Sequence, residues 1–497
     1  MAGGRGHARR GVVAVLAAGA LVASAGCGSD AKGDAAKGRA VLHFHSRPDL
    51  TPPIFTVDTS AKAAAQGDLF IAPKQYAIQK GPEIVAPDGQ PVWFHPVAQQ
   101  ATDFRVQTYD GKPVLTWWEG PPAAPVSGSG VGHGVIMNSS YEQIATVTAS
   151  FGPNTADLHE FELAPGGIAL ITAYRIVPVD LSSIGGPVNG RAADCVVEKI
   201  DVATRRVLFE WHSIDHIPLN ASYIAPPPKT GKGSTATFDY VHVNSVDEEP
   251  NGDLLVSARN TSAVYLIDGT TGDVVWTLGG KQSTFAMGAG TPFYWQHDAR
   301  LEPDGTISIF DDGASPKREK QSRAIRIRLD PKTRTATLVR AYADGSLAIS
   351  QGNAQLLPNG DTFVGWGSVP RVTEFSPSGR VLYDATFADG DDSYRAYRFT
   401  WTGTPKTRPA IAVAKGKTST TIYASWNGAT EVTRWQALGG PTAEHLAPVG
   451  VPVRKTGFET AMQATTSDTY FAVEALGAHG RVLGRSAAVQ RGREAIG

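Results

Sequence analysis

Apolar residues in this chain alternate with polar ones over short runs, and long stretches with the period of an amphipathic helix are scarce. Runs such as Leu254-Leu255-Val256-Ser257, Ile307-Ser308-Ile309-Phe310 and Thr362-Phe363-Val364-Gly365 lie between Gly, Pro, Asn and Asp, which end strands and make turns. The pattern predicts an all-β protein. It also repeats: Pro and Gly follow His297 at six and eight places, and they follow Gly352 and His159 at the same offsets. Each unit reads as two short strands about a tight turn. Two outer strands follow, as in Ala263-Val264-Tyr265-Leu266-Ile267 and Val274-Val275-Trp276-Thr277.

Four strands in a unit of roughly 40–55 residues make a β-propeller blade. The register positions are Asp103, His159, His242, His297 and Gly352, spaced by 56, 83, 55 and 55 residues. The long spacing holds two Gly/Pro/Ser-rich insertions, 181–191 and 226–235. These are five complete blades. Residues 68–95 offer only the second, third and fourth strands of another, and Tyr394-Arg395-Ala396-Tyr397-Arg398-Phe399 can supply its innermost strand. Closing the ring in this way gives six blades and hides the sheet edges at the seam. After Trp401, alternating runs around Ile411, Ile422, Trp435 and Phe471 resemble a fibronectin type III-like or immunoglobulin-like β-sandwich, with Trp426 expected as its core tryptophan. The expected organisation is a signal peptide over 1–27, a tether over 28–46, a six-bladed β-propeller over 47–402 and the sandwich over 410–492.

Charge and cysteine usage narrow the picture further. A net charge of −1 gives no reason to expect a nucleic-acid partner. Arg5, Arg9 and Arg10 precede a short apolar run from Val12 to Ala25, and small residues lead into Cys27. This resembles a bacterial lipoprotein signal, with Cys27 as the lipidated first mature residue. The protein is therefore expected outside the cytoplasm, anchored to the cell membrane by lipid or secreted. Lipidation of Cys27 leaves Cys195 alone, so no intramolecular disulfide is expected, and Cys195 reads as a buried small hydrophobe.

Residues at one register position in successive blades are related by rotation about the propeller axis. His159, His242 and His297 should therefore converge at the mouth of the inner strands, facing the channel. Any one of them alone could cap a loop; three in register point to a site. Asn244 follows His242, and Arg300 follows His297. The basic run beginning at Lys317 and Arg318 either is a solvated loop or reaches over the channel to hold an anion. His212 and His216, with Asp215 beside them, end a blade; they could overhang the channel or, on a helical turn, start a metal site, although no further ligand is evident. No metal is assigned.

At His242-Val243-Asn244-Ser245 and Gln296-His297-Asp298-Ala299, followed by Asp311-Asp312-Gly313, the sequence resembles the bacterial arylsulfate sulfotransferase (arylsulfotransferase) family. Asp157-Leu158-His159-Glu160-Phe161, Glu210-Trp211-His212-Ser213 and Gly279-Gly280-Lys281 fit its secreted branch, and the resemblance runs from about Arg47 to Trp401. It implies a six-bladed propeller enzyme that moves a sulfuryl group from an aryl sulfate to a phenol, without a nucleotide donor or other cofactor. In that family a channel histidine is sulfurylated, while other histidines and an arginine bind the sulfuryl oxygens. Two departures stand out. The blade from Gln351 to Arg371, where periplasmic members carry the nucleophile, has no histidine, and Ala314-Ser315-Pro316 intervenes before Lys317 and Arg318. The nucleophile then falls to His159, His242 or His297, with a slight preference for His242. The other readings are a non-catalytic propeller that binds a small anion or glycan, and a metal-dependent hydrolase or lyase built on His212, Asp215 and His216.

Overall fold

The computed structural model describes residues 41–122, 126–416 and 419–496. Cys27 and the signal segment expected before it lie outside them. Six sheets surround one axis. Blade 1 runs from Gln100–Tyr109 to Gln143–Val147, blade 2 from Phe161–Ala164 to Val207–His212, and blade 3 from Val243–Glu248 to Val274–Gly279. Blade 4 runs from His297–Leu301 to Thr335–Tyr342, and blade 5 from Asn353–Leu356 to Val381–Phe387. Each begins with its innermost strand and proceeds outward by antiparallel neighbours.

Blade 6 is shared between the two ends of the propeller sequence. Tyr397–Phe399 pairs with Asp68–Ile71, setting Asp68 opposite Phe399 and Phe70 opposite Tyr397, and Glu83–Val85 and Pro91–Phe94 complete the sheet. The closing strand expected from Tyr394 to Phe399 is therefore in place over its last three residues, Tyr397–Phe399. A second crossing was not expected: Phe55–Ser60 pairs with Val381–Phe387 as the outermost strand of blade 5. The chain thus enters through blade 5 before it starts blade 6, so both sheets at the seam depend on residues distant in sequence.

Apolar faces pack blade against blade. Phe70 and Trp93 of blade 6 meet Phe104 and Trp117 of blade 1, and Leu255 and Val264 of blade 3 meet Ile307 and Ile309 of blade 4. The first insertion extends a hairpin, with Ile168–Val179 and Gly190–Asp201 paired throughout, and Thr237–Phe238 adds to it in parallel. Cys195 is buried in the same hairpin and unpaired among the described residues.

The C-terminal residues form two facing sheets, one around Ala410–Lys415 and Thr420–Ser425, the other around Arg434–Gly440 and Tyr470–Leu476. Ile411, Ile422, Trp435, Phe471 and Val473 fill the space between them. The core tryptophan is Trp435 rather than Trp426. Trp435 sits on a strand paired on both edges, whereas Trp426 lies one residue beyond its strand and donates its Nε1–H to the Thr407 hydroxyl. The sandwich is bonded to blades 6 and 1: Asn427 exchanges two hydrogen bonds with the Phe94 backbone, at 3.0 and 2.9 Å, and the Tyr141 hydroxyl donates to the Gly428 carbonyl at 2.8 Å. Residues 41–46, expected to belong to a tether, are packed as well, with Ser46 buried and its hydroxyl 2.6 Å from Glu459.

Candidate active site

The phrases around the histidines stitch neighbouring blades together. Asn244 donates its Nδ2–H to the Gln296 carbonyl at 2.7 Å, and the Ala299 N–H reaches the Ser245 hydroxyl at 3.0 Å. The Gln296 amide in turn donates to Ser257, Ala258 and Ala263 of blade 3. His242 and His297 are thereby set on adjacent inner strands that cannot slide past each other. Gln351 and Gly352 follow in blade 5. A Cβ at Gly352, whose φ is +99°, would meet the Phe310 ring at 2.6 Å, so the backbone can pass this close only without a side chain.

The three histidines do converge. The rings of His159 and His242 meet edge to face with centroids 4.8 Å apart. Tyr394, from the approach to the closing strand, packs against His159 at 5.7 Å and against His297 at 6.3 Å. Tyr174 lies 6.4 Å from His159 and 6.2 Å from His242. Each histidine is oriented by a carboxylate at Nδ1: Asp157 for His159, Asp239 for His242 at 2.5 Å and Asp312 for His297 at 2.7 Å. A carboxylate at Nδ1 fixes the neutral tautomer with its lone pair on Nε2. The Nε2 of His297 accepts a long hydrogen bond, 3.3 Å, from the Gln351 backbone N–H. Burial depresses the pKa of His159, and it depresses that of His297 further, helped by the charge of Arg259 and by the neighbouring histidines. Both imidazoles are therefore neutral at neutral pH.

The register is looser than the spacing suggested. Asp103 does not join the histidine layer. A bulge between Thr102 and Arg105 displaces it, as one between His297 and Arg300 displaces Asp298, and Asp103, Asp298 and Glu160 form the next layer along the axis. In blade 3 a bulge at Val243–Ser245 lets His242, at φ +57°, reach the ring from two residues before Asn244.

That second layer is a buried ion-pair cluster. Arg395, 1 % exposed, reaches Asp103 at 2.9 Å, Glu160 at 3.2 Å, Asp298 at 3.2 Å and the Asn244 carbonyl at 2.8 Å. Arg105 and Arg300 join from the side, each on Glu160. Burial alone would raise the Glu160 pKa, but Arg300, Arg395 and Arg105 hold it down at about 2. The cluster plugs the channel beneath the histidines.

Several candidate substrate-binding residues are corrected by this geometry. Arg300 is committed to Glu160, Glu162 and Asp298, so it has no charge to spare for a ligand. His212 lies on the outermost strand of blade 2 with Nδ1 at Asp194 and Nε2 at Glu210, which is why it does not overhang the channel. His216 instead stacks on Trp211, and among the described residues no His/Cys/Asp/Glu group is arranged to hold a metal ion. Lys317 and Arg318 are exposed in their loop, the Arg318 guanidinium lying over Tyr223 and Tyr294 rather than over the histidines. The inner side of that loop rests on Arg259, whose Nη2 donates to the Ser315 carbonyl at 3.2 Å. Asn244 is at the site, but its Nδ2 is spent on Gln296 and only its Oδ1 remains unpartnered.

The cation beside the histidines is Arg259, at the end of the second strand of blade 3. It stacks on Trp295 at 5.3 Å, has no carboxylate partner among the described residues, and acts on Asp312 and Asp239, the two carboxylates that orient His297 and His242. Sequence reasoning missed Arg259, Arg395 and Asp239, and it quoted Asp157 and Asp312 beside their histidines without giving them an orienting role. The aspartates left a local signal, since Asp157 and Asp239 precede their histidines by two and three residues. The arginines left none, because Arg259 is set by the neighbouring blade that covers it and Arg395 by ring closure. Asp239 Oδ1, Asn244 Oδ1, Asp312 Oδ1 and Gln351 Oε1 are buried acceptors with no partner in the protein, which suits a site occupied by water or a polar ligand.

A family model described as Arylsulfotransferase (ASST) matches residues 105–388. No curated protein sequence matches the chain. Among solved structures it is similar to a protein of unknown function from Bacteroides caccae, with 12 % identity, a TM-score of 0.40, and coverage of 67 % of this chain and 100 % of that one. It is also similar to virginiamycin B lyase from Staphylococcus aureus, with 10 % identity, a TM-score of 0.27, and coverage of 75 % and 96 %. Neither likeness bears on the chemistry.

Proposed function

The chain belongs to the arylsulfotransferase family, and from that premise we propose that it transfers a sulfuryl group from an aryl sulfate to a phenol through His297. The observation that carries the choice of nucleophile is the placement of Arg259. His297 is a neutral, carboxylate-oriented imidazole, and Arg259 is close enough to depress its pKa. Neutral imidazole is a nucleophile, and a fixed guanidinium offsets charge gathering on three sulfuryl oxygens. This moves the preference from His242 to His297.

In the first half-reaction the Nε2 lone pair of His297 displaces the Gln351 N–H contact and attacks sulfur. The S–O(aryl) bond breaks, and the phenolate leaves with its electron pair. In the second, an acceptor phenol gives its proton to the Nε2 of His242, the more exposed of the three at 7 %, and its oxygen attacks sulfur. The S–N bond breaks and its electrons return to His297. Asp312 holds the ring in one orientation throughout. We further propose, from the signal pattern ending at Cys27, that the enzyme works outside the cytoplasm on a lipid anchor.

The test is turnover of 4-nitrophenyl sulfate with phenol. His297→Ala is expected to abolish transfer, whereas His242→Ala slows it and responds to added imidazole. Full activity in His297→Ala would return the nucleophile to His242 or His159. No transfer by the wild type with any aryl sulfate would favour a binding protein.

A further inference from the structure

We propose that Arg318, held by Tyr223 and Tyr294, is a subsite for a second anionic group on the aryl substrate, at the end away from the sulfuryl group; this rests on the transfer reading above. Arg318 is exposed, yet it is not a free surface arginine. Its guanidinium lies 5.8 Å from the ring centroids of both Tyr223 and Tyr294, and its backbone N–H donates to the Gly313 carbonyl at 2.7 Å. Among the described residues it has no acidic partner, and no acceptor takes its guanidinium N–H groups. A cation fixed in place with its donors unspent is suited to a bidentate carboxylate.

A second cation strengthens the field. Lys281 Nζ sits 5.1 Å over the Tyr223 ring and donates to the carbonyls of Asn220 and Ser222 at 2.8 and 2.5 Å, again without a carboxylate. The cluster leads directly to the histidines. Tyr223 meets Trp295 edge to face at 6.2 Å, Trp295 lies under Arg259, and Arg259 acts on Asp312 and Asp239. Gly313, which tethers Arg318, follows Asp312 in the chain. From Arg259 outward cations and aromatic rings alternate, with Trp295 buried beneath Arg259 and Tyr223 and Tyr294 half-buried beside Arg318: the inner end suits sulfuryl oxygens, the half-buried tyrosines flank an aryl ring, and the outer end suits an acidic substituent. A neutral phenol would leave the outer cations unused. The substrate class so defined is a phenol, or its sulfate, that also carries a carboxylate or another acidic group.

The test compares phenol with 4-hydroxybenzoate, 4-hydroxyphenylacetate and 3-(4-hydroxyphenyl)propionate as acceptors from 4-nitrophenyl sulfate. The best carboxylated acceptor is expected to exceed phenol in kcat/KM by about tenfold, the scale of one charge-assisted contact. Arg318→Ala should lower that ratio by about the same factor, Arg318→Lys should restore part of it, and added salt should erode it. Calorimetric binding of the same four compounds separates this proposal from the reading it rests on. Binding that favours the carboxylates and depends on Arg318, without any transfer, would sustain the subsite and overturn the transfer reading. Transfer with a ratio unaffected by Arg318→Ala would overturn the subsite alone.

Discussion

At the scale of residues, the site is a set of opposed environments. His297 is kept neutral by burial, by Arg259 and by its neighbours, so it stays a nucleophile well into acid. The sign of the pH dependence follows for the first half-reaction, read as kcat/KM for the donor: it should persist as pH falls through the usual histidine range and fail only when His297 is finally protonated. Removing the positive charge in Arg259→Gln relieves the depression, so the acid limb of kcat/KM should move upward in pH. Turnover should also drop about 10²–10³-fold, as for loss of one oxyanion donor. A pH–rate profile of the variant checks both, and an unmoved acid limb would separate Arg259 from His297. The histidines were legible in the sequence because a turn motif marks the strands that carry them. Asp103 was misplaced by one layer because a bulge adds a residue without disturbing the turn that fixes the apparent register. Arg259 was hidden because a cation at a strand end reads as solvated until the neighbouring blade covers it.

At the scale of elements, the closing strand joins fold and site. Tyr394 packs against two of the histidines, and the next residue, Arg395, gathers carboxylates from blades 1, 2 and 4. Arg395→Met would leave Asp103, Glu160 and Asp298 buried with less compensation, so it should destabilise the protein by about 3–5 kcal/mol in urea unfolding. A loss under about 1 kcal/mol, the scale of an exposed pair, would mean the cluster is not sealed from water. The sequence announced this strand because blade 6 was one strand short. It did not announce Phe55–Ser60 in blade 5, since a single alternating run outside the repeat carries no register of its own.

At the scale of the whole molecule, the sandwich is bonded to two neighbouring blades, to Phe94 of blade 6 and Tyr141 of blade 1. Propeller and sandwich should therefore unfold in one calorimetric transition. Asn427→Ala combined with Tyr141→Phe should split it into two, and two transitions in the wild type would contradict the clamp. The central claim is that blades 3, 4 and 5 together make one imidazole into a sulfuryl carrier. The direct measurement is to load the protein with 4-nitrophenyl sulfate without acceptor, quench at alkaline pH, and map tryptic peptides by mass spectrometry. The three histidines fall on separate peptides: 106–175 for His159, 233–259 for His242 and 282–300 for His297. A sulfuryl group on 282–300, lost on adding phenol, is the predicted result; a group on either other peptide, or on none while turnover proceeds, would contradict it.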